Sequence, residues 1–391
     1  MHSSIRYAPA LLARRRPIHL TFFVTRRCNA ACPFCFYQAG EPVEGGAPEL
    51  ALAEIRRVAG SMGSLLWLLF SGGEVFLRDD LVEVSGAFHD ANRVAFLTYP
   101  SNGLLTEVVA GRTEEILKRC PESVVVVKLS LDGVGADHDA LRQVRGGFDK
   151  LMRTYERLAA LASSHRRLEL GINTLFCSQN QDRMDGIIDF VAGLDGVRSH
   201  TLTLIRPAPG TLGYQGVDPE SYRRADLLLQ RRWSSRRRRF HGFAGARLKS
   251  AQDALQRRLI HRTMLERRRV IPCRAGRLNL VLTETGDLYP CEGRWDRSFG
   301  NVRETGHDVG ALLRSGPARR ILEEIDEGSC SCTNECTFLT NILSNPFMYP
   351  GLLRGYARLL GGWPRVGEVA GPGRSQGQQV MRGQIADQPT R

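Results

Sequence analysis

From Ile18 to Ile205, short apolar runs alternate with helix-length segments whose apolar residues recur every three to four positions. Six runs read as strands: 18–25, 65–71, 93–98, 124–131, 168–176 and 199–205. The segments between them, 48–62, 80–91, 106–120, 148–163 and 181–194, read as helices. Five helices between six strands are a repeated βα unit. Right-handed crossovers curl such a parallel sheet toward a barrel, so the expected fold class is α/β, a partial (βα)6 TIM-type barrel. Chemistry in such a barrel gathers on the loops at the C-terminal ends of the strands.

The repeat stops at 206–216, where Pro207, Pro209, Gly210 and Gly213 cluster. From 272 to about 340 the pattern changes to short strands, Gly turns and five cysteines, a small cysteine-rich α+β module. The expected organisation is an N-terminal extension (1–17), a core barrel (18–206), a basic helical connector (207–271), the cysteine-rich module (272–340), and a C-terminal helix with a disordered tail (341–391).

With 42% hydrophobic and 24% charged residues over 391 positions, the chain is neither wholly disordered nor collagen-like. No apolar run approaches the roughly 18 residues of a membrane span, and no cleavable secretion signal precedes the first cysteines, so the expected compartment is the cytoplasm. Ten cysteines in a reducing compartment point to metal or redox chemistry rather than disulfides. The net charge of +13 is local: 223–269 holds fifteen Arg and one Lys against Asp226, Asp253 and Glu266, which equals the charge of the whole chain. The expectation is a solvated helical face, with Leu248, Leu255, Leu259 and Leu265 turned inward, or a docking surface for an acidic partner.

Cys28, Cys32 and Cys35 follow the first strand directly, in RRCNAACPFCFY. One short loop can wrap these three thiolates around one cluster, and a cube of four irons then keeps one iron open for a small molecule. A zinc site with a distant fourth ligand is the competing reading.

With Phe34 in the aromatic place, C-x3-C-x-aromatic-C resembles the signature of the radical S-adenosylmethionine (SAM) enzymes. The resemblance implies a [4Fe-4S] cluster on the three cysteines, SAM on its open iron, and reductive cleavage of SAM to a 5′-deoxyadenosyl radical that abstracts hydrogen from a substrate. Gly72, Gly73 and Glu74 resemble the family's Gly-Gly-Glu motif, with Val75 where proline is usual, and the glycines are expected to admit close approach of the SAM ammonium. Asn102, Ser130, Arg142 and Asn173, at later strand ends, are implied as further SAM contacts. His138-Asp139 with Arg142 resembles an H-D-x-x-R segment, although His138 and Asp139 could equally cap the next helix. Cys120 and Cys177 read as buried, inert thiols.

Cys273 and Cys291 are spaced C-x12-G-x4-C, and Cys330, Cys332 and Cys336 follow. This resembles a SPASM or Twitch extension, which implies one auxiliary [4Fe-4S] cluster on four of the five, with a structural zinc ribbon as the rival. Only 27 residues precede Cys28, too few for the peptide-recognition domain of many peptide-modifying members. The expected function is therefore radical remodelling of a small-molecule biosynthetic intermediate by oxidation, epimerisation or decarboxylation, fed by an external electron donor such as flavodoxin or ferredoxin. The alternatives are a radical SAM maturase of a ribosomal peptide and a zinc-containing nucleic-acid-binding protein. The sequence names no proton or hydrogen donor.

Overall fold

The computed structural model describes residues 16–37, 46–234, 245–328 and 330–361. The arginines at 236–239, most of the N-terminal extension and the C-terminal tail lie outside the described residues.

The chain begins with an alternation of strand and helix: β1 (His19–Thr25), α1 (Leu52–Ser61), β2 (Trp67–Gly72), α2 (Leu81–Asn92), β3 (Phe96–Ser101), α3 (Thr106–Arg119) and β4 (Val124–Ser130). It continues through α4 (Ala136–Arg142), α5 (Gly147–Ser164), β5 (Leu168–Phe176), α6 (Met184–Gly193) and β6 (Val197–Leu204). The six strands lie in chain order and pair in parallel. This is the expected partial barrel. Two departures have a clear local cause. Arg93 caps α2 in a left-handed conformation (φ 47°), so β3 starts three residues later than its apolar run suggests. The short polar helix α4 has too few apolar residues to show periodicity.

Alternation along the strands sorts the two faces. Leu20, Phe22 and Val24 of β1, Leu68 and Phe70 of β2, and Val125, Val127 and Leu129 of β4 are fully buried in the layer under the helices. The opposite positions, among them Thr98, Lys128, Ser130, Asn173 and Thr201, face the barrel interior and line a cavity. The interior thus combines these polar side chains with a second apolar cluster of Ala95, Phe96, Val124 and Val126 packed with Trp67.

Two helices of the basic segment follow, α7 (Pro219–Ser234) and α8 (Ala246–Glu266). The cysteine-rich part then adds β7 (Asn279–Leu282), β8 (Asp287–Tyr289) and β9 (Gly300–Asn301), the helices α9 (Val309–Leu313), α10 (Gly316–Glu327), α11 (Glu335–Leu343) and α12 (Tyr349–Gly361). It does not stand apart from the barrel. Strand β7 pairs in parallel with β1, His19 opposite Asn279, and extends the sheet to nine strands. At the other edge, Glu335 of α11 accepts the Leu204 N–H of β6 (3.1 Å), giving a side-chain partner to an edge strand that lacks a neighbour.

The inward-facing leucine stripe expected in the basic segment is only half present. Leu259 is buried, but Leu248 and Leu265 are exposed. Nor is the segment a simple solvated face: Arg257 is buried in an ion pair with Asp226, Arg269 reaches the cysteine-rich module, and Lys249, its one lysine, lines the barrel cavity.

Candidate active site

The loop carrying Cys28, Cys32 and Cys35 leaves β1 at Thr25 and turns back on itself, with the Cys35 N–H donating to the Cys32 carbonyl (3.0 Å). It is clamped to the loop after β2: Gly73 N–H donates to Thr25 O (2.8 Å) and Glu74 N–H to Arg27 O (3.0 Å). A Cβ on Gly73 would stand 2.0 Å from the Arg27 oxygen, and one on Gly72 2.2 Å from the Thr25 oxygen. Gly72 also has φ +120°, a conformation that disfavours side chains. The glycines are thus required because two backbones meet there. Both glycines also line the cavity described below.

Glu74 is buried, and its carboxylate accepts the N–H groups of Asn102 (2.8 Å) and Phe76 (3.3 Å), tying the ends of β2 and β3 together. Burial lifts its carboxyl to about 7, against the pull of these N–H groups. Val75 starts a buried 3₁₀ turn, so the motif keeps a tight turn without proline. Asn102 Nδ2 donates to Asn29 Oδ1 (2.7 Å) and lies 4.0 Å from Cys28 Sγ.

Arg142 of α4 donates through Nε to Asp132 Oδ2 (2.7 Å), while Nη1 lies 3.9 Å from Cys32 Sγ and the guanidinium sits over the Phe34 ring. Asp132 is buried and also accepts the Leu175 N–H (2.7 Å). Arg142 therefore meets a carboxylate of its own chain and a candidate cluster thiol. Burial pushes the Cys32 thiol up to about 11, and Arg142 opposes the shift. Asp139 takes the capping role, its carboxylate accepting the N–H groups of Gly146 (2.6 Å) and Phe148 (2.7 Å) at the start of α5, while His138 Nδ1 accepts the Asp132 N–H (3.2 Å) in the loop after β4. Asn173 Oδ1 accepts the Thr203 hydroxyl (2.6 Å). Cys120 and Cys177 are buried, as expected.

One cavity of about 380 Å³ joins these groups. Cys28, Cys32, Cys35, Phe34, Gly72, Gly73, Glu74, Asn102, Ser130, Arg142 and Asn173 all line it. So do residues that sequence reasoning passed over: His19, Lys128, Arg206, Lys249, Glu292 and Glu335. A readable sign existed for Lys128, a lone charge within the apolar strand VVVVKLS. The others reach the cavity from distant segments.

The C-terminal cysteines divide. Burial pushes the Cys291 thiol up, and the thiols of Cys332, Cys273 and Cys330 add to the shift. Cys332, raised to about 12 mainly by burial, feels Cys273 and Cys330, and Cys273 in turn feels Cys330. These four are mutual neighbours. Arg269 Nη2 donates to Cys330 Sγ (3.3 Å), and the N–H groups of Ala275 and Asn334 donate to Cys273 Sγ (3.4 Å) and Cys332 Sγ (3.2 Å). Cys336 is different: the groups acting on its thiol, after burial, are Glu292, Arg206, Glu335 and Lys128, and it lines the barrel cavity. Among the described residues no three His, Cys, Asp or Glu side chains converge on a single-ion site. A cube of four irons makes a different demand: each thiolate binds its own iron, so the sulfurs stand wider apart than the roughly 3.8 Å set by one tetrahedral zinc. The donor set, four thiols receiving N–H and guanidinium hydrogen bonds, fits an iron–sulfur cluster.

Residues 22–191 match the family described as the Radical SAM superfamily. This stretch of the chain is a radical SAM domain. The chain is 28% identical over 239 residues to the pre-heme d1 synthase of Dinoroseobacter shibae, a match covering 60% of this chain and 55% of that one. It is 24% identical over 344 residues to the subtilosin biosynthesis protein AlbA of Bacillus subtilis, covering 85% and 69%. The matched stretch thus spans little more than half of the synthase. Among solved structures, anSMEcpe with bound AdoMet superposes with a TM-score of 0.53 at 16% identity, covering 88% of this chain and 99% of that one, a likeness of fold. The radical SAM match agrees with the expected cofactors, SAM and [4Fe-4S] clusters. Among the described residues no helix is long and apolar enough to cross a membrane.

Proposed function

We propose that the protein is a cytoplasmic radical SAM enzyme that acts on a substrate held inside its barrel. The observation that carries this reading is the convergence of the three thiols of Cys28, Cys32 and Cys35 with Glu74, Asn102, Ser130, Arg142 and Asn173 on one cavity at the C-terminal ends of the strands. When bound, the reduced cluster and SAM supply a 5′-deoxyadenosyl radical able to take hydrogen from an unactivated carbon. The chain's own residues position and shield that chemistry. The three thiols hold the cluster, and Arg142, itself fixed by Asp132, favours the thiolate of Cys32. Glu74 braces the glycine loop against the triad loop, leaving Ser130, Asn102 and Asn173 to face SAM. Cys273, Cys291, Cys330 and Cys332 hold one auxiliary cluster, and an electron donor of the flavodoxin or ferredoxin kind feeds the system.

The substrate reading is a small biosynthetic intermediate, supported by a chamber of about 380 Å³. Maturation of a ribosomal peptide is the second reading, supported by likeness to AlbA over 85% of the chain. The nucleic-acid reading loses ground because Arg232, Arg257, Arg262 and Arg268 of the basic segment already face carboxylates. The test is an anaerobic assay of reduced, reconstituted protein with SAM. Replacing Cys28, Cys32 and Cys35 by Ala should abolish 5′-deoxyadenosine formation while leaving about half the iron. Persistent cleavage in that variant would refute the assignment.

A further inference from the structure

The inner end of the barrel cavity, away from the Cys28–Cys35 triad, carries a charge without a matching counter-charge. Lys128 projects from the middle of β4 into the chamber, where among the described residues its ammonium donates to the Thr201 hydroxyl (2.6 Å) and to no carboxylate. The nearby Asp253 is already in an ion pair with Lys249, whose ammonium also sits 5.4 Å from the centre of the Trp67 ring. A half-buried ammonium in a chamber wall that meets only a hydroxyl is incompletely solvated, and proteins keep such a group where something else completes it. Burial, followed by repulsion from Lys249, lowers Lys128 to about 8, which leaves it mostly charged at neutral pH.

A second observation points the same way. His19, at the start of β1, lines the same chamber, is 3% exposed, and has neither ring nitrogen hydrogen-bonded. Burial lowers it to about 4, so it is neutral and has one N–H to give. Space for the lysine is also built in: a Cβ on Gly171 of the neighbouring β5 would come within 2.5 Å of Ser199 Oγ and 3.3 Å of Lys128 Cγ. Along β4, Lys128 lies four residues, about 13 Å of extended strand, inward of Asp132, which fixes Arg142 beside Cys32.

We propose that Lys128, with His19, binds a carboxylate or phosphate of the substrate, so that the substrate is an acid anchored by its anionic end at the inner end of the barrel with its reacting carbon toward the cysteine triad. This rests on the radical SAM reading and deepens it by naming the substrate class.

The test is calorimetric titration of cluster-loaded wild-type protein with phenylacetate, phenyl phosphate and the neutral amide phenylacetamide. At least one anion should bind ten-fold or more tightly than the amide. The better anion identifies the group as carboxylate or phosphate. Lys128→Met should erase that preference, at least ten-fold, and should not lower the melting temperature, because an incompletely paired, half-buried cation is replaced by an apolar chain of similar shape. Equal binding of acid and amide, failure of both anions to bind, or a Lys128→Met protein that is destabilised or unfolded would overturn the proposal. SAM cleavage by the same wild-type sample is scored separately. Its absence would sink the radical reading and leave the anion site standing.

Discussion

Gly73→Ala separates two explanations for the Gly-Gly-Glu motif. If the glycine clears space for SAM, the variant should fold, load iron and lose SAM affinity. The structure requires another outcome. The added Cβ would sit 2.0 Å from the Arg27 carbonyl oxygen, 2.6 Å from its carbon and 2.8 Å from the Arg26 oxygen, all backbone atoms. Contacts below 3.0 Å are not tolerated, so the loops must part by at least about 1 Å. That movement acts on two hydrogen bonds, Gly73 to Thr25 and Glu74 to Arg27. Overpacking typically costs about 1–3 kcal/mol, and each weakened hydrogen bond about 0.5–1.5 kcal/mol, so the total is about 2–6 kcal/mol. Such a loss is a large part of the roughly 5–15 kcal/mol stability of an ordinary domain. Because Cys28 follows Arg27 directly, the shift also moves a proposed cluster ligand. Iron content, absorbance of the reconstituted cluster and urea unfolding should all fall together in Gly73→Ala. A variant with wild-type iron and stability, impaired only in SAM binding, would refute the clamp.

Three further outcomes are expected. Cys332→Ala should lose about four irons per chain while Cys336→Ala keeps the wild-type content, because Cys336 faces the barrel rather than the other four thiols; equal losses in colorimetric iron assays would contradict this division. Asp226→Asn removes the counter-charge of buried Arg257 and should destabilise the protein by about 3–5 kcal/mol in urea unfolding, with a cost under 1 kcal/mol counting against the pair's burial. His200, lowered to about 3 by burial and then by Arg257 and Lys128, should make stability fall with acid. An imidazole that resists protonation when folded stabilises fully above its unfolded value of 6.5 and loses that contribution as pH drops toward 3, about 2 kcal/mol by pH 5. His200→Leu should flatten the pH slope of unfolding between 6.5 and 5, and an unchanged slope would show that His200 is not the source.

The barrel was legible because its determinants are local. Period-two strands and amphipathic helices write themselves into the chain, and the triad C-x3-C-x2-C is confined to eight consecutive residues, Cys28 to Cys35. The short helix α4 and the start of β3 were not legible, since one lacks periodicity and the other depends on how far the Arg93 cap carries the chain.

By itself, then, the amino-acid order determined the six βα units, the three-cysteine loop at the end of β1 and the presence of a second cysteine group. Only the tertiary structure decided what the interior contains. Which four C-terminal thiols gather, and that Cys336 turns into the barrel instead, depends on β7 joining the sheet beside β1 and on α11 lying at the β6 edge. The meeting of Lys128, His19, Lys249 and Arg206 in one chamber likewise joins segments separated by more than 40 residues of chain. The physical reason is range: periodicity and turn chemistry act over a few residues, whereas burial and charge pairing depend on which distant strands and helices are packed together.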